Sequence, residues 1–186
     1  YRTMAGKIVR LRGKPRFIAK YPRLSLRIPW LEQVFPDARY IHVQRDWRAV
    51  VNSTRNRQVK RTGRDGGWFG IRLPGWRDAG DLPPEEIATR QFVAATRAIE
   101  AAAPALGDRL TTVWYEDLCR DPVGVLRTTT AAVDLRWTDA FEQTIAGWGI
   151  RDRADAWQEE LGAERADALR QLDPELLGRF EVTPSA

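Results

Sequence analysis

Three residues stand immediately behind short apolar segments and carry groups that bind anions or flat rings. Lys20 closes Arg16-Phe17-Ile18-Ala19, Arg45 follows Tyr40-Ile41-His42-Val43-Gln44, and Tyr115 follows residues 110–114. If those segments are neighbouring parallel strands, the three side chains meet at one edge, because ligands of such sheets bind outside the carboxyl ends of the strands. Two cations and an aromatic hydroxyl there suit a nucleotide, with charge for phosphate and a flat polar ring for the base. Ser53 lies seven residues beyond Asp46, about two helical turns, so its hydroxyl faces nearly the same way. A guanidinium fork with a hydroxyl donor matches a phosphate dianion, at roughly 1.5–3 kcal/mol for each hydrogen bond to a charged group. The same residues also fit a plainer assignment, Arg45 paired with a neighbouring acid and Ser53 an ordinary helix serine.

Several other chemistries are closed. The 186 residues include one His (His42) and one Cys (Cys119), too few for a His/Cys zinc site or an internal disulfide. Serine occurs only at Ser25, Ser53 and Ser185, with no G-x-S-x-G, which disfavours a Ser-His-Asp hydrolase. No apolar run approaches the roughly 18 residues of a membrane span, and no signal-peptide pattern opens the chain. The lone cysteine points to a reducing, cytoplasmic setting. No metal is implied.

Charge is unevenly spread. Residues 1–64 hold 17 Lys/Arg against Glu32, Asp37 and Asp46, a balance of +14, whereas residues 65–186 hold 13 bases against 22 acids, a balance of −9. A segment this basic calls for a polyanion: nucleotide phosphates, nucleic acid, a sulfated sugar or an anionic lipid surface.

The elements that must position these groups alternate. Residues 6–12 read as a strand or a basic arm and residues 16–20 as a short strand. Apolar residues at helical spacing over 24–35 predict a helix with Pro29 in its first turn or at a kink, broken by Pro36-Asp37-Ala38. A buried strand over 40–44 leads to a helix from Trp47 to about Arg57, capped by Asp46. Residues 60–84 read as one long Gly- and Trp-rich loop containing Trp68, Phe69 and Trp76, a length uncommon unless functional or disordered. Pro83-Pro84-Glu85-Glu86 opens a helix through Ala103. A strand over 110–114, a helix from Asp121-Pro122 to about Val133, one from Thr138-Asp139 to about Ala146, and short helices over 162–180 complete the chain. Strand–helix alternation predicts an α/β domain with a mostly parallel sheet, one domain over 1–186.

The stretch Lys20-Tyr21-Pro22-Arg23 … Phe35-Pro36-Asp37-Ala38-Arg39-Tyr40-Ile41-His42-Val43-Gln44-Arg45-Asp46-Trp47-Arg48-Ala49-Val50-Val51-Asn52-Ser53 resembles the central part of the sulfotransferase family, whose members take a sulfuryl group from 3′-phosphoadenosine 5′-phosphosulfate (PAPS). Trp114-Tyr115-Glu116-Asp117-Leu118 … Asp121-Pro122 … Leu126 is similar to the family's later segment, and Trp157-Gln158-Glu159-Glu160-Leu161 to its C-terminal block. The resemblance implies a P-loop-NTPase-like three-layer α/β sandwich with a mostly parallel central sheet. It implies that Arg45 and Ser53 hold the 3′-phosphate, that Tyr115 meets the adenine, that Lys20 lies near the transferring sulfuryl group, and that Arg153 closes over the 3′-phosphate. The product would be adenosine 3′,5′-bisphosphate (PAP).

The family's 5′-phosphosulfate loop has no counterpart in residues 1–19, and no G-x-x-x-x-G-K-[ST] occurs anywhere. With Tyr1 in place of an initiator Met, the expectation is an N-terminally truncated, partial sulfotransferase-like domain. The histidine that some members place two residues after the lysine is replaced by Pro22, and His42, flanked by apolar residues, reads as structural. The general base is therefore unassigned. Residues 60–84 are the candidate lid on the acceptor side, where aromatic faces suit a sugar, lipid or aryl acceptor. The rival is a non-catalytic basic α/β module that docks nucleic acid along Arg10, Arg12, Lys14 and Arg16. Nucleic acid is the less favoured partner, since aromatics are not interleaved with those bases.

Overall fold

The computed structural model describes residues 2–13, 16–62, 68–77, 81–150, 153 and 155–182. Two strands, β1 (Tyr40–Gln44) and β2 (Leu110–Trp114), pair in parallel, in register from Tyr40↔Leu110 to Gln44↔Trp114. Both occupy the residues their apolar runs predict. Helices make up most of the remainder, so the α/β class with a parallel sheet holds although helix predominates.

Helix α1 (Arg2–Arg12) replaces the strand or arm expected over 6–12. Met4, Ile8 and Leu11 recur at helical spacing, and Met, Arg, Lys and Leu favour helix, which outweighs the weak alternation. Residues 16–20 are not a strand. Phe17 and Ile18 are exposed, and Arg16 Nη1 donates to the Val133 carbonyl at 2.8 Å. A strand needs a ladder partner for its backbone groups, and among the described residues β1 pairs with β2 alone. The helix expected over 24–35 is a 3-10 turn, Pro22–Arg27, followed by α2 (Ile28–Val34), with Pro29 in the first turn of α2.

Helix α3 (Trp47–Thr62) leaves the carboxyl end of β1, and α4 (Pro84–Leu106) returns the chain to β2. Beyond β2 come α5 (Tyr115–Arg120), α6 (Pro122–Ala132), α7 (Asp139–Ala146), α8 (Ala156–Glu160), α9 (Ala163–Arg170) and α10 (Pro174–Gly178). Three of these starts are capped as their sequences require: the Asp121, Thr138 and Asp173 side chains each accept a backbone N–H.

The core joins α3 and α4 to the C-terminal helices. Trp47, Val51, Ala88, Trp157, Leu176, Leu177 and Phe180 are buried together. Phe180 packs edge-on against Phe92 at 5.5 Å and lies 5.9 Å from Trp114, the last residue of β2. The carboxyl end of the sheet is thereby fixed against the C-terminal segment.

Candidate functional site

The register of the sheet decides which side chains meet. Because Gln44 and Trp114 are the last paired residues, Arg45 and Tyr115 follow side by side. The Arg45 guanidinium carbon lies 4.2 Å from the centroid of the Tyr115 ring, a cation–π stack. Arg45 Nε is buried and has no hydrogen-bond partner. A buried donor without an acceptor costs about 1–3 kcal/mol, so this corner favours an anion that supplies one.

The residues one step further on pin the corner. The Asp46 backbone N–H donates to Glu116 Oε1 at 3.1 Å, bridging the two strand ends. Glu116 is buried, and its Oε2 has no partner. The Asp46 carboxylate is only 2% exposed. Its Oδ1 accepts the Arg48 backbone N–H at 2.8 Å, a cap on the first turn of α3, and its Oδ2 accepts Arg48 Nη2 at 2.5 Å. The Val182 N–H donates to the same Oδ2 at 2.9 Å, Arg48 Nη2 donates to the Val182 carbonyl at 3.1 Å, and the Trp47 N–H donates to the Phe180 carbonyl at 3.0 Å. Arg48 also lies 4.3 Å over the Trp157 ring. Burial pulls the Arg48 pKa down, but the hydrogen bond and charge of Asp46, with the charges of Glu181 and Asp167, more than offset it, so the net shift is upward and the guanidinium stays protonated. Sequence reasoning missed Glu116 and Arg48 as parts of the site and read Asp46 only as a cap. Their adjacency to Arg45 and Tyr115 was the available signal.

Ser53 sits half-buried on α3. Lys20 is exposed in the unpaired segment 16–20, so it does not emerge from a strand beside Arg45 as its position predicts. Arg153 lies 3.9 Å from Glu160 at the end of α8. That carboxylate accepts Asn52 Nδ2 at 2.8 Å and also bonds Asn56, tying α8 to the α3 surface that carries Ser53. These two hydrogen bonds, with Arg153 and Arg55 nearby, hold the Glu160 pKa below its ordinary value.

The expected 60–84 loop is shorter than predicted. Residues 60–62 belong to α3, because its helical run continues past Arg57, and α4 begins at Pro84. Residues 63–67 and 78–80 lie outside the described residues. The stretch 68–77 is docked on α4: buried Gln91 donates through Nε2 to the Phe69 carbonyl at 2.8 Å and the Ile71 carbonyl at 2.9 Å. Trp68 Nε1 donates to the Ile71 carbonyl at 2.6 Å, and the Trp68 and Trp76 rings are 6.0 Å apart, with Arg72 and Arg77 over Trp76.

His42 is mid-strand, and burial lowers its pKa while Glu100 partly opposes the shift. Among the described residues, no His, Cys, Asp or Glu group is arranged to hold a metal, and no helix is long and apolar enough to cross a membrane.

The family model described as "Sulfotransferase family" matches residues 2–139. Protein-tyrosine sulfotransferase A of Caenorhabditis elegans is 29% identical over 67% of the chain and 29% of its own length. Carbohydrate sulfotransferase 5 of Mus musculus is 30% identical over 81% of the chain and 38% of its own length. A sulfotransferase of Mycobacterium avium, known from a crystal structure, superposes with a TM-score of 0.58 at 25% identity, over 86% of this chain and 40% of that one. The chain thus spans less than half the length of each. The structural likeness agrees with the P-loop-like α/β architecture that the sequence resemblance implies.

Proposed function

The chain belongs to the sulfotransferase family, and on that footing we propose that it takes part in transferring a sulfuryl group from PAPS to an acceptor hydroxyl or amine, leaving PAP. The observation that carries this reading is the buried, unpartnered Nε of Arg45 beside the Tyr115 ring at the carboxyl ends of two parallel strands. A phosphate oxygen would satisfy that donor. Ser53, two turns along α3, offers a second one. Bound PAPS would supply the sulfuryl group, already activated by its link to phosphate.

In this reading Arg45 and Ser53 hold the 3′-phosphate, and Tyr115 presents its ring and hydroxyl to the adenine. Lys20 is the exposed cation that would neutralise charge developing on the bridging phosphate oxygen, an electrostatic role. Arg153, beside α8, closes toward the 3′-phosphate. The acceptor hydroxyl must lose its proton as it attacks. His42 is a poor base for that step, being held within β1. The acceptor side is assigned to residues 68–77, whose aromatic rings suit a sugar or aryl group and whose arginines suit one with anionic substituents. The relatives' names specify a protein tyrosine and a carbohydrate, which favours a hydroxyl acceptor. The single Cys119 is what supports a reducing, cytoplasmic setting in this reading.

The test is calorimetric titration of PAP and of adenosine 5′-monophosphate into the chain and into Arg45→Ala. PAP is expected to bind more tightly than the monophosphate, with that advantage lost in Arg45→Ala. A folded chain that does not distinguish the two nucleotides overturns the reading.

A further inference from the structure

We propose that Glu116 is a positioning residue for the anion corner, and that the C-terminal segment 180–182 acts with it by clamping the opposite side of Asp46. This inference rests on the nucleotide reading of Arg45 and Tyr115, neither of which Glu116 needs to touch.

Arg45 is the first residue past β1, where the sheet ladder has ended. A long side chain at such a position stays on one ring only if the backbone beneath it is fixed. Glu116 provides that fix across the strands, because its Oε1 takes the Asp46 N–H at 3.1 Å. One bond thus joins the residue after Arg45 to the residue after Tyr115 and fixes the backbone beneath the two stacking partners. The carboxylate is 7% exposed, and its other oxygen has no protein partner. A buried carboxyl group with an oxygen left unpartnered is costly to keep for packing alone.

The second clamp comes from the end of the chain. The Val182 N–H and the Arg48 guanidinium share the Asp46 carboxylate, while Trp47 holds the Phe180 carbonyl through its N–H and Glu181 through Nε1 at 3.4 Å. Arg170 holds Glu181 from α9 at 3.3 Å. The corner is therefore gripped from β2 on one side and from the C-terminal segment on the other. Order at residues 180–182 would be felt at Arg45 through Asp46.

The test reads Arg45 directly in the nucleotide-free protein, where stacking on Tyr115 displaces the Arg45 side-chain proton resonances by the ring current. Glu116→Ala is expected to abolish that displacement, and Glu116→Gln, which keeps an acceptor for the Asp46 N–H, to retain it. Val182→Pro removes the N–H donor and is expected to reduce the displacement, with Val182→Ala unchanged. In parallel, the preference for PAP over adenosine 5′-monophosphate should fall about tenfold in Glu116→Ala, about the worth of one hydrogen bond to a charged group. A merely structural role would lower the melting temperature without moving that ratio. Unaltered Arg45 resonances in folded Glu116→Ala or in folded Val182→Pro, or equal loss in Glu116→Gln and Glu116→Ala, overturns the proposal. Should Glu116→Ala not fold, the Val182 pair decides alone. If the resonances respond as expected while the unmutated protein does not bind PAP, the nucleotide reading fails and the positioning role stands.

Discussion

Arg45 lies flat against Tyr115, its guanidinium carbon 4.2 Å from the ring centroid, with its Nε buried and unpartnered. The stack leaves the planar fork oriented, so little rotamer freedom remains to be lost when an anion arrives. A lysine would keep the charge but lose the fork and much of the stacking. Arg45→Lys is therefore expected to weaken PAP binding by about tenfold or more, roughly 1.5–3 kcal/mol for a lost charge-assisted bond. Titration calorimetry beside Arg45→Ala measures this. A lysine variant with wild-type affinity would show that charge alone holds the phosphate.

Leu177 is fully buried where α10 meets the Trp47, Val51 and Phe180 cluster. Truncation to alanine leaves a cavity that neighbours from several helices cannot all collapse into. Leu177→Ala is expected to cost about 2–5 kcal/mol, read from chemical denaturation. A loss under about 1 kcal/mol would mean that the C-terminal helices are not part of one cooperative core with α3.

Glu160 gives a pH dependence of defined sign. Hydrogen bonds from Asn52 and Asn56 lower its folded-state pKa from the ordinary 4.5. Its contribution is present above the unfolded value and is lost as pH falls through the folded one. Acid titration of stability should therefore show α8 loosening from α3 as pH falls below the ordinary 4.5, with Trp157 fluorescence as the local reporter. Glu160→Gln should remove that part of the acid dependence, and an unchanged profile would assign it to other carboxylates.

What the sequence makes legible here follows from the range of the interactions. β1 and β2 are short apolar runs with clear punctuation, so their bounds can be read locally. The meeting of Arg45 and Tyr115 follows from one topological rule once the strands are parallel neighbours. The bond from the Asp46 N–H to Glu116 depends on register, which a single strand does not encode, so it was not readable. Residues 16–20 have strand-like composition but no ladder partner among the described residues, and pairing cannot be seen in a segment taken alone. Gln91 lies twenty residues past Ile71, and nothing in its helical neighbourhood signals that its amide captures that segment's carbonyls. The charge tilt between residues 1–64 and the rest points to an anion without saying which arginine faces it.

Gly70 is the residue whose backbone holds the aromatic segment in place. It has φ of +93°, in the region that favours glycine, and a Cβ added there would stand 2.7 Å from Gln91 Oε1. The same Gln91 side chain holds the Phe69 and Ile71 carbonyls through its amide nitrogen. Gly70→Ala therefore strains the backbone and displaces the Gln91 side chain, which docks the segment on α4. The corner at Arg45 is fixed separately by Glu116 and residues 180–182, so the two regions should respond independently. Gly70→Ala is expected to change the fluorescence of Trp68 and Trp76, leave PAP affinity within about twofold, and raise the acceptor KM about tenfold, near 1.4 kcal/mol. If PAP affinity falls in step with the acceptor KM, residues 68–77 belong to the nucleotide side; if neither moves while the fluorescence does, the aromatic segment serves α4 packing alone.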